Sequence, residues 1–170
     1  YEGMSVADIG DDLGMGLGET ICHMLIQEDL EVGFWLTPPD SVNTWRQTSR
    51  DAIEFLSRPD YMVGSDAIQV GGSPHPRAYG TFPRFLGRLR RRYGKITLEQ
   101  MIQRITDNPA RRFGLTGRGR IDKGYFADLV VFDPHLIIDT ATYDEPQHHP
   151  VGIPYVLVNG KVAVDRERCT

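Results

Sequence analysis

Y-M-V-G-S-D-A-I-Q-V-G-G-S-P-H-P-R-A-Y-G-T-F-P-R, from Tyr61 to Arg84, is the stretch from which the rest of the chain is read. An apolar run, Tyr61-Met62-Val63, ends abruptly in Gly64-Ser65-Asp66. That pattern predicts a short buried strand over 61–65 that delivers one carboxylate to its C-terminal end. Gly71-Gly72-Ser73-Pro74 carries strong turn chemistry, and His75, Arg77 and Tyr79 follow before a helix expected from about Phe82. In parallel β/α proteins the chemistry collects where strands end and loops begin. An acid at a strand end, followed by a loop bearing His, Arg and Tyr, is therefore a candidate active-site edge. Ser-Asp after an apolar run is also ordinary turn chemistry, so Asp66 has a purely structural reading beside the catalytic one.

G-S-D followed by H-P-R-A-Y-G-T-F-P-R-F-L-G-R resembles the N-acyl-D-amino-acid deacylase (D-aminoacylase) family of amidohydrolases. The similarity runs over essentially all of this chain but over only the C-terminal third or so of a typical family member. The resemblance implies a fold made of the last βα units of a TIM-like barrel plus a small C-terminal β-subdomain. It implies hydrolysis of the amide bond of a small N-acyl-D-amino acid, with zinc as cofactor. Zinc lowers the pKa of a bound water from 15.7 to roughly 7. The family's metal-ligand segments lie upstream of the similar region, so no metal ligand is assigned here and the chain alone is expected to be inactive. By the same resemblance Asp66 is the general base and acid. Arg77 holds the substrate carboxylate, a task that suits a guanidinium fork. His75 and Tyr79 support it in the same loop. Family members usually have Gly after the Asp, where this chain has Ala67; that bears on loop geometry and substrate preference.

The chain has 170 residues, 40% hydrophobic and 25% charged, the composition of a soluble globular protein. It has no apolar run near the roughly 18 residues a membrane span needs. It opens Tyr-Glu-Gly without a basic-then-apolar leader, which predicts no targeting signal and a cytoplasmic location. Cys22 and Cys169 form no C-x-x-C and read as free thiols. Net charge is −4, unevenly spread. Residues 1–60 hold twelve acids against three bases, and residues 81–123 twelve bases against three acids. Arg88, Arg90, Arg91 and Arg92 would suit nucleic acid, but as one face of a helix whose other face is Phe82, Phe85, Leu86 and Leu89 they read as solvated. Neither nucleic acid nor membrane is expected as a partner.

Ser5-x-x-Asp8 predicts a helix start, and a second helix is expected over about 19–28, with His23 in it as a packing or surface residue rather than a ligand. Val32 to Leu36 reads as a strand. Residues 40–48 read as a polar loop or an irregular helix start, and Ser49 as the cap of a short helix. Three helices are expected after the loop, ending at Gly94, opening with the Thr97–Gln100 capping box, and running from Asn108-Pro109 to Gly114. The boundary is placed between Gly114 and Arg120, giving domains 1–116 and 117–170. From Gly117 the texture is that of strands, at 127–133, 155–158 and 161–164, with a type I′ turn at Asn159-Gly160. G-R-I-D-K-G-Y-F-A-D-L-V-V-F-D and V-L-V-N-G-K resemble the closing β-subdomain of amidohydrolases. Asp128 reads as a structural hydrogen-bonding group. Adjacent His148 and His149 point to opposite sides of an extended chain and read as surface loop, not a metal pair.

Two other readings stay open: a dihydroorotase- or hydantoinase-like amidohydrolase, and a non-enzymatic interaction module. Unpaired strand edges at 32–36 and 61–65 predict self-association, or docking with the missing N-terminal portion of the enzyme.

Overall fold

The computed structural model describes residues 1, 3–30, 32, 41–68 and 74–170. The chain divides into two compact units, 1–36 and 37–170. Among the described residues, no helix is long and apolar enough to cross a membrane.

The first unit holds α1 (Val6–Leu13) and α2 (Leu17–Gln27). Ser5 and Asp8 form the expected capping box, each satisfying a backbone donor that the first turn leaves orphaned. Gly14, at φ 66°, closes α1 in the left-handed conformation that costs a glycine least. The two helices cross closely at Gly10, where a Cβ would lie 2.9 Å from the Thr20 hydroxyl.

The second unit begins with α3 (Val42–Ser57), twice the length expected from the sequence. Ser41, not Ser49, is its cap: the Ser41 hydroxyl accepts from the Thr44 amide at 3.1 Å. Most of residues 42–48 are polar and face solvent, which makes the segment resemble a loop in the sequence, but Trp45 is half-buried under Arg84 and Ser49 is buried inside the helix. The helical run after the loop starts at Arg77 rather than Phe82. It passes from α4 (Arg77–Pro83) through a π-helical turn (Arg84–Leu89) into α5 (Arg90–Tyr93). Pro83 has no N–H to give to the preceding turn, and the wider π register follows directly after it. α6 (Leu98–Ile105) carries the expected Thr97–Gln100 capping box, and α7 (Asp107–Arg112) ends before Gly114. Asn108 does not cap α7. Its amide donates to the Pro59 and Tyr61 carbonyls, at 2.7 and 2.9 Å.

The strand expected over 61–65 is absent: this segment runs without a β-ladder. A strand needs a hydrogen-bonded neighbour of its own kind, and here the neighbours are helical. The Val63 amide donates to the Arg104 carbonyl in α6, and the Tyr61 carbonyl receives the Asn108 amide. Of the other expected strand, 32–36, Val32 is in no regular element and residues 33–36 lie outside the described residues.

The described sheet is antiparallel, in the order β1 (Leu129–Val131), β2 (Tyr155–Val158), β3 (Lys161–Asp165), β4 (Arg168–Cys169). Asn159 and Gly160, at φ 52° and 78°, make the expected hairpin turn. Asp128 is structural, as expected: it accepts from the Asn159 amide at 2.8 Å and pairs with Arg118, which hold its carboxyl below the usual range. Both cysteines are free and exposed.

The core of the second unit gathers Ile53, Leu56, Val63, Leu86, Leu89, Ile96, Met101 and Ile137. Two devices fix it. The buried Arg104 guanidinium donates to the Leu56 carbonyl at the end of α3, 3.0 Å away, where the helix leaves carbonyls unpaired. The arginine block, expected to be a solvated face, instead grips the segment 134–139. Arg84 and Arg88 bind the two carboxylate oxygens of buried Asp139 at 2.8 and 2.9 Å. Arg90 and Arg91 donate to the Pro134 and Ile137 carbonyls. This grip needs Gly87: a Cβ there would lie 2.0 Å from the Ile137 carbonyl oxygen.

Gly87→Ala therefore forces a backbone shift and should cost about 3 kcal/mol. Asp139→Ala, which strands two guanidinium groups, should cost a similar amount, roughly 3 kcal/mol. Urea unfolding checks both, and an unchanged midpoint in either variant overturns this account of the grip.

Candidate active site

Of Asp66, His75, Arg77 and Tyr79, singled out from the sequence, Asp66 and His75 both meet Arg77, while Tyr79, on the same helix, packs on His149. Of the loop between them, residues 69–73, with the expected Gly-Gly-Ser turn, lie outside the described residues. Asp66 stands at φ 46°, in the left-handed region that a non-glycine residue enters at a cost and that aspartate tolerates better than most. This turns the chain sharply where the apolar run 61–63 ends. The Asp66 side chain is 86% exposed and points to Arg77, whose Nη1 lies 3.3 Å from the carboxylate. So exposed an ion pair contributes little to stability, about 0–1 kcal/mol. It leaves the carboxylate open to solvent and to any bound molecule.

Arg77 opens α4. Its Nη1 faces Asp66, while its Nε is buried and has no hydrogen-bond partner among the described residues. A buried unsatisfied donor costs about 1–3 kcal/mol, and a carboxylate taking the Nε edge of the guanidinium would relieve it.

His75 lies between backbone and side-chain partners. The Arg77 backbone N–H donates to His75 Nδ1 at 3.0 Å, and His75 Nε2 lies 3.1 Å from the Tyr143 hydroxyl. A backbone amide can only donate, so Nδ1 must be the acceptor and a neutral ring carries its proton on Nε2. The Nε2–H then donates to Tyr143 Oη. Burial, and next the charge of Arg77, push the imidazole below its ordinary value of 6.5. Protonating Nδ1 would also set it against the amide that it accepts from.

Tyr79 meets His149 edge-to-face, with ring centroids 5.4 Å apart, and His75 meets Tyr143 in the same manner at 5.2 Å. His149 and Tyr143 both come from residues 140–149, which form one wall of the site. The sequence reading missed both. Tyr143 carries no local signal, and the His148-His149 pair signals metal more than ring packing. The pair does diverge, as expected: His148 faces Glu145 at 3.5 Å while His149 faces Tyr79. Among the described residues, no three His, Cys, Asp or Glu side chains gather closely enough to hold a metal ion. The described residues therefore do not hold a metal by themselves.

With Asp66 exposed beside Arg77, the arrangement offers a proton acceptor next to an anion-binding cation. The sequence profile of the amidohydrolase family matches residues 30–164. A D-aminoacylase of Alcaligenes xylosoxydans xylosoxydans is 50% identical over 110 residues, which cover 65% of this chain and 23% of the relative. A solved structure of N-acyl-D-glutamate deacylase from Bordetella bronchiseptica, complexed with zinc and a phosphonate inhibitor, is 34% identical. It superimposes with a TM-score of 0.71 over 95% of this chain and 31% of its own. A D-aminoacylase structure, described for its binuclear metal centre, is 41% identical and gives a TM-score of 0.67 over 71% of this chain and 25% of its own. The chain thus spans about a quarter of the length of these relatives.

His75 gives a test of the site as built. As pH falls the unfolded ring takes its proton first, so the contribution of His75 to stability is complete above about pH 6.5. It is lost as pH falls toward the lower folded midpoint. NMR titration of the imidazole should give a midpoint below 6.5, and His75→Gln should remove that part of the acid loss of stability. A midpoint at or above 6.5 contradicts the arrangement.

Proposed function

The chain belongs to the amidohydrolase family, and on that premise we propose that it supplies the acid–base edge of a metal-dependent deacylase cleaving N-acyl-D-amino acids. The observation that carries this reading is the Asp66–Arg77 pair: an open carboxylate 3.3 Å from a guanidinium whose buried Nε has no acceptor among the described residues. Its likeness to a D-aminoacylase and to an N-acyl-D-glutamate deacylase supports the substrate class. The reaction is assigned to the assembled enzyme. In a zinc-dependent deacylase the metal supplies an activated water, and the ligands that would hold it are not among the residues described here.

The chemistry asked of this edge is proton transfer and anchoring. Water adds to the amide carbon and must lose a proton; Asp66 accepts it. The C–N bond then breaks, and the same proton passes from Asp66 to the amine nitrogen, giving a carboxylate and a free D-amino acid. One carboxylate can serve both steps because it returns to its starting state each turnover. Arg77 holds the substrate carboxylate. It would do so through its Nε edge while Nη1 faces Asp66, which sets the substrate beside the base. His75 and Tyr79 flank Arg77 and fix the loop from which it reaches.

The test uses an active deacylase in which this chain replaces the matching segment. Asp66→Asn keeps the shape and removes the base, so kcat should fall toward the upper end of about 10²- to 10⁴-fold. Near-normal kcat makes Asp66 a turn residue.

Arg77→Lys keeps the charge and loses the fork. KM for substrates with a free carboxylate should rise about ten- to hundred-fold, matching roughly 1.5–3 kcal/mol for a charged hydrogen bond. Esterifying that carboxylate should erase most of the difference. Equal effects on acid and ester would mean that Arg77 only holds the loop together.

A further inference from the structure

We propose that Tyr143 is a positioning residue for Arg77, acting through His75 from the far side of the site. The inference rests on the reading of Arg77 as the carboxylate-binding group.

Arg77 is the first residue of α4, and the first turn of a helix leaves its backbone donors without partners. The residue before it, Pro76, has no side chain able to accept a hydrogen bond, and α4 has no side-chain cap of the usual kind. The His75 ring fills that gap. Its Nδ1 accepts the Arg77 N–H at 3.0 Å, so the imidazole caps the turn that carries the guanidinium. A ring held at one atom can swing about its χ angles. Tyr143 holds the opposite atom, with its hydroxyl 3.1 Å from Nε2 and its ring set against the imidazole edge-to-face. Both nitrogens are thereby committed, which fixes the ring plane and the tautomer together.

Tyr143 itself sits on a wall with its own bracing. The Thr140 hydroxyl donates to the His149 carbonyl at 2.7 Å, and the Glu145 amide to the Thr142 hydroxyl at 3.0 Å. The same wall begins at Asp139, which Arg84 and Arg88 grip. It touches the start of α4 a second time through His149 and Tyr79. A residue 68 positions away in sequence thus holds the last rotational freedom of the cap on Arg77. Packing alone would need the Tyr143 ring but not its hydroxyl, and that difference is testable.

The experiment compares the intact chain with Tyr143→Phe, which keeps the ring and removes the hydroxyl. Asp144→Asn, at an exposed position of the same wall, serves as a control. Exchange of the Arg77 amide should become about ten-fold faster in Tyr143→Phe. The Ala110 amide, bonded to the Thr106 carbonyl, should be unmoved and report that the fold is intact. In the spliced deacylase the same variant should raise KM for free-carboxylate substrates about ten-fold, with kcat within two-fold. Asp144→Asn should change neither. Unchanged Arg77 exchange in Tyr143→Phe overturns the proposal and leaves Tyr143 as packing. It is equally overturned if KM stays put while Arg77→Lys still raises it. If Arg77→Lys fails to separate acid from ester, the assignment of Arg77 is the one at fault, and the role of Tyr143 falls with it.

Discussion

The second unit depends on one buried carboxylate. Asp139 sits at 4% exposure between Arg84 and Arg88, and a lone charge so placed would be costly to desolvate. The two guanidinium groups offset that cost and fix where the segment 134–139 lies along the helical run 77–93. Gly87 then lets the Ile137 carbonyl approach a helix face that any side chain would close. Ile137 is completely buried among residues of α3, α5's π-helical approach and α6. The wall at 140–149 follows directly from Asp139, so the grip sets where Tyr143 and His149 meet His75 and Tyr79. The charge asymmetry of the sequence has its explanation here. Much of the basic block is spent on carbonyls and one carboxylate of the same chain.

What was legible in the sequence was local. Capping boxes at Ser5–Asp8 and Thr97–Gln100, the stop at Gly94 and the Asn159-Gly160 turn depend on residues within four positions of one another, and the structure bears them out. For the candidate site, a resemblance and a turn-rich loop pointed to one stretch, and the structure brings two of its residues together. Asp66 and Arg77, eleven apart, meet. What was not legible depends on partners distant in sequence. Tyr61 to Ser65 has strand composition but takes its hydrogen bonds from Arg104 and Asn108, so no ladder forms. Asn108 looked like a cap because Asn-Pro favours one, yet its amide is committed to carbonyls at 59 and 61. The start of α3 was obscured by the polar majority of 42–48, although Val42 and Trp45 continue the face that Ile53 and Leu56 bury. Tyr143 had no signal at all, since nothing in T-Y-D-E marks a residue that touches a histidine on another segment.

The spacing of the contacts has a consequence for how the molecule comes into being. The bonds that seat the helical run join residues 51 and 55 apart, and the one that orients the His75 ring joins residues 68 apart. Closing loops of that size costs entropy that grows slowly with length, about 0.6 kcal/mol per doubling, and must be met before the contact returns anything. During synthesis the chain emerges from its N-terminal side. The helices over 77–112 can form from local signals as they leave the ribosome, with four arginines still lacking the carbonyls and carboxylate they will bind. The cap on Arg77 cannot lock until Tyr143 has followed. Asp66, His75, Arg77 and Tyr79 are made before the segment that orients them, which leaves an interval in which a basic, half-assembled surface is exposed to anions in solution.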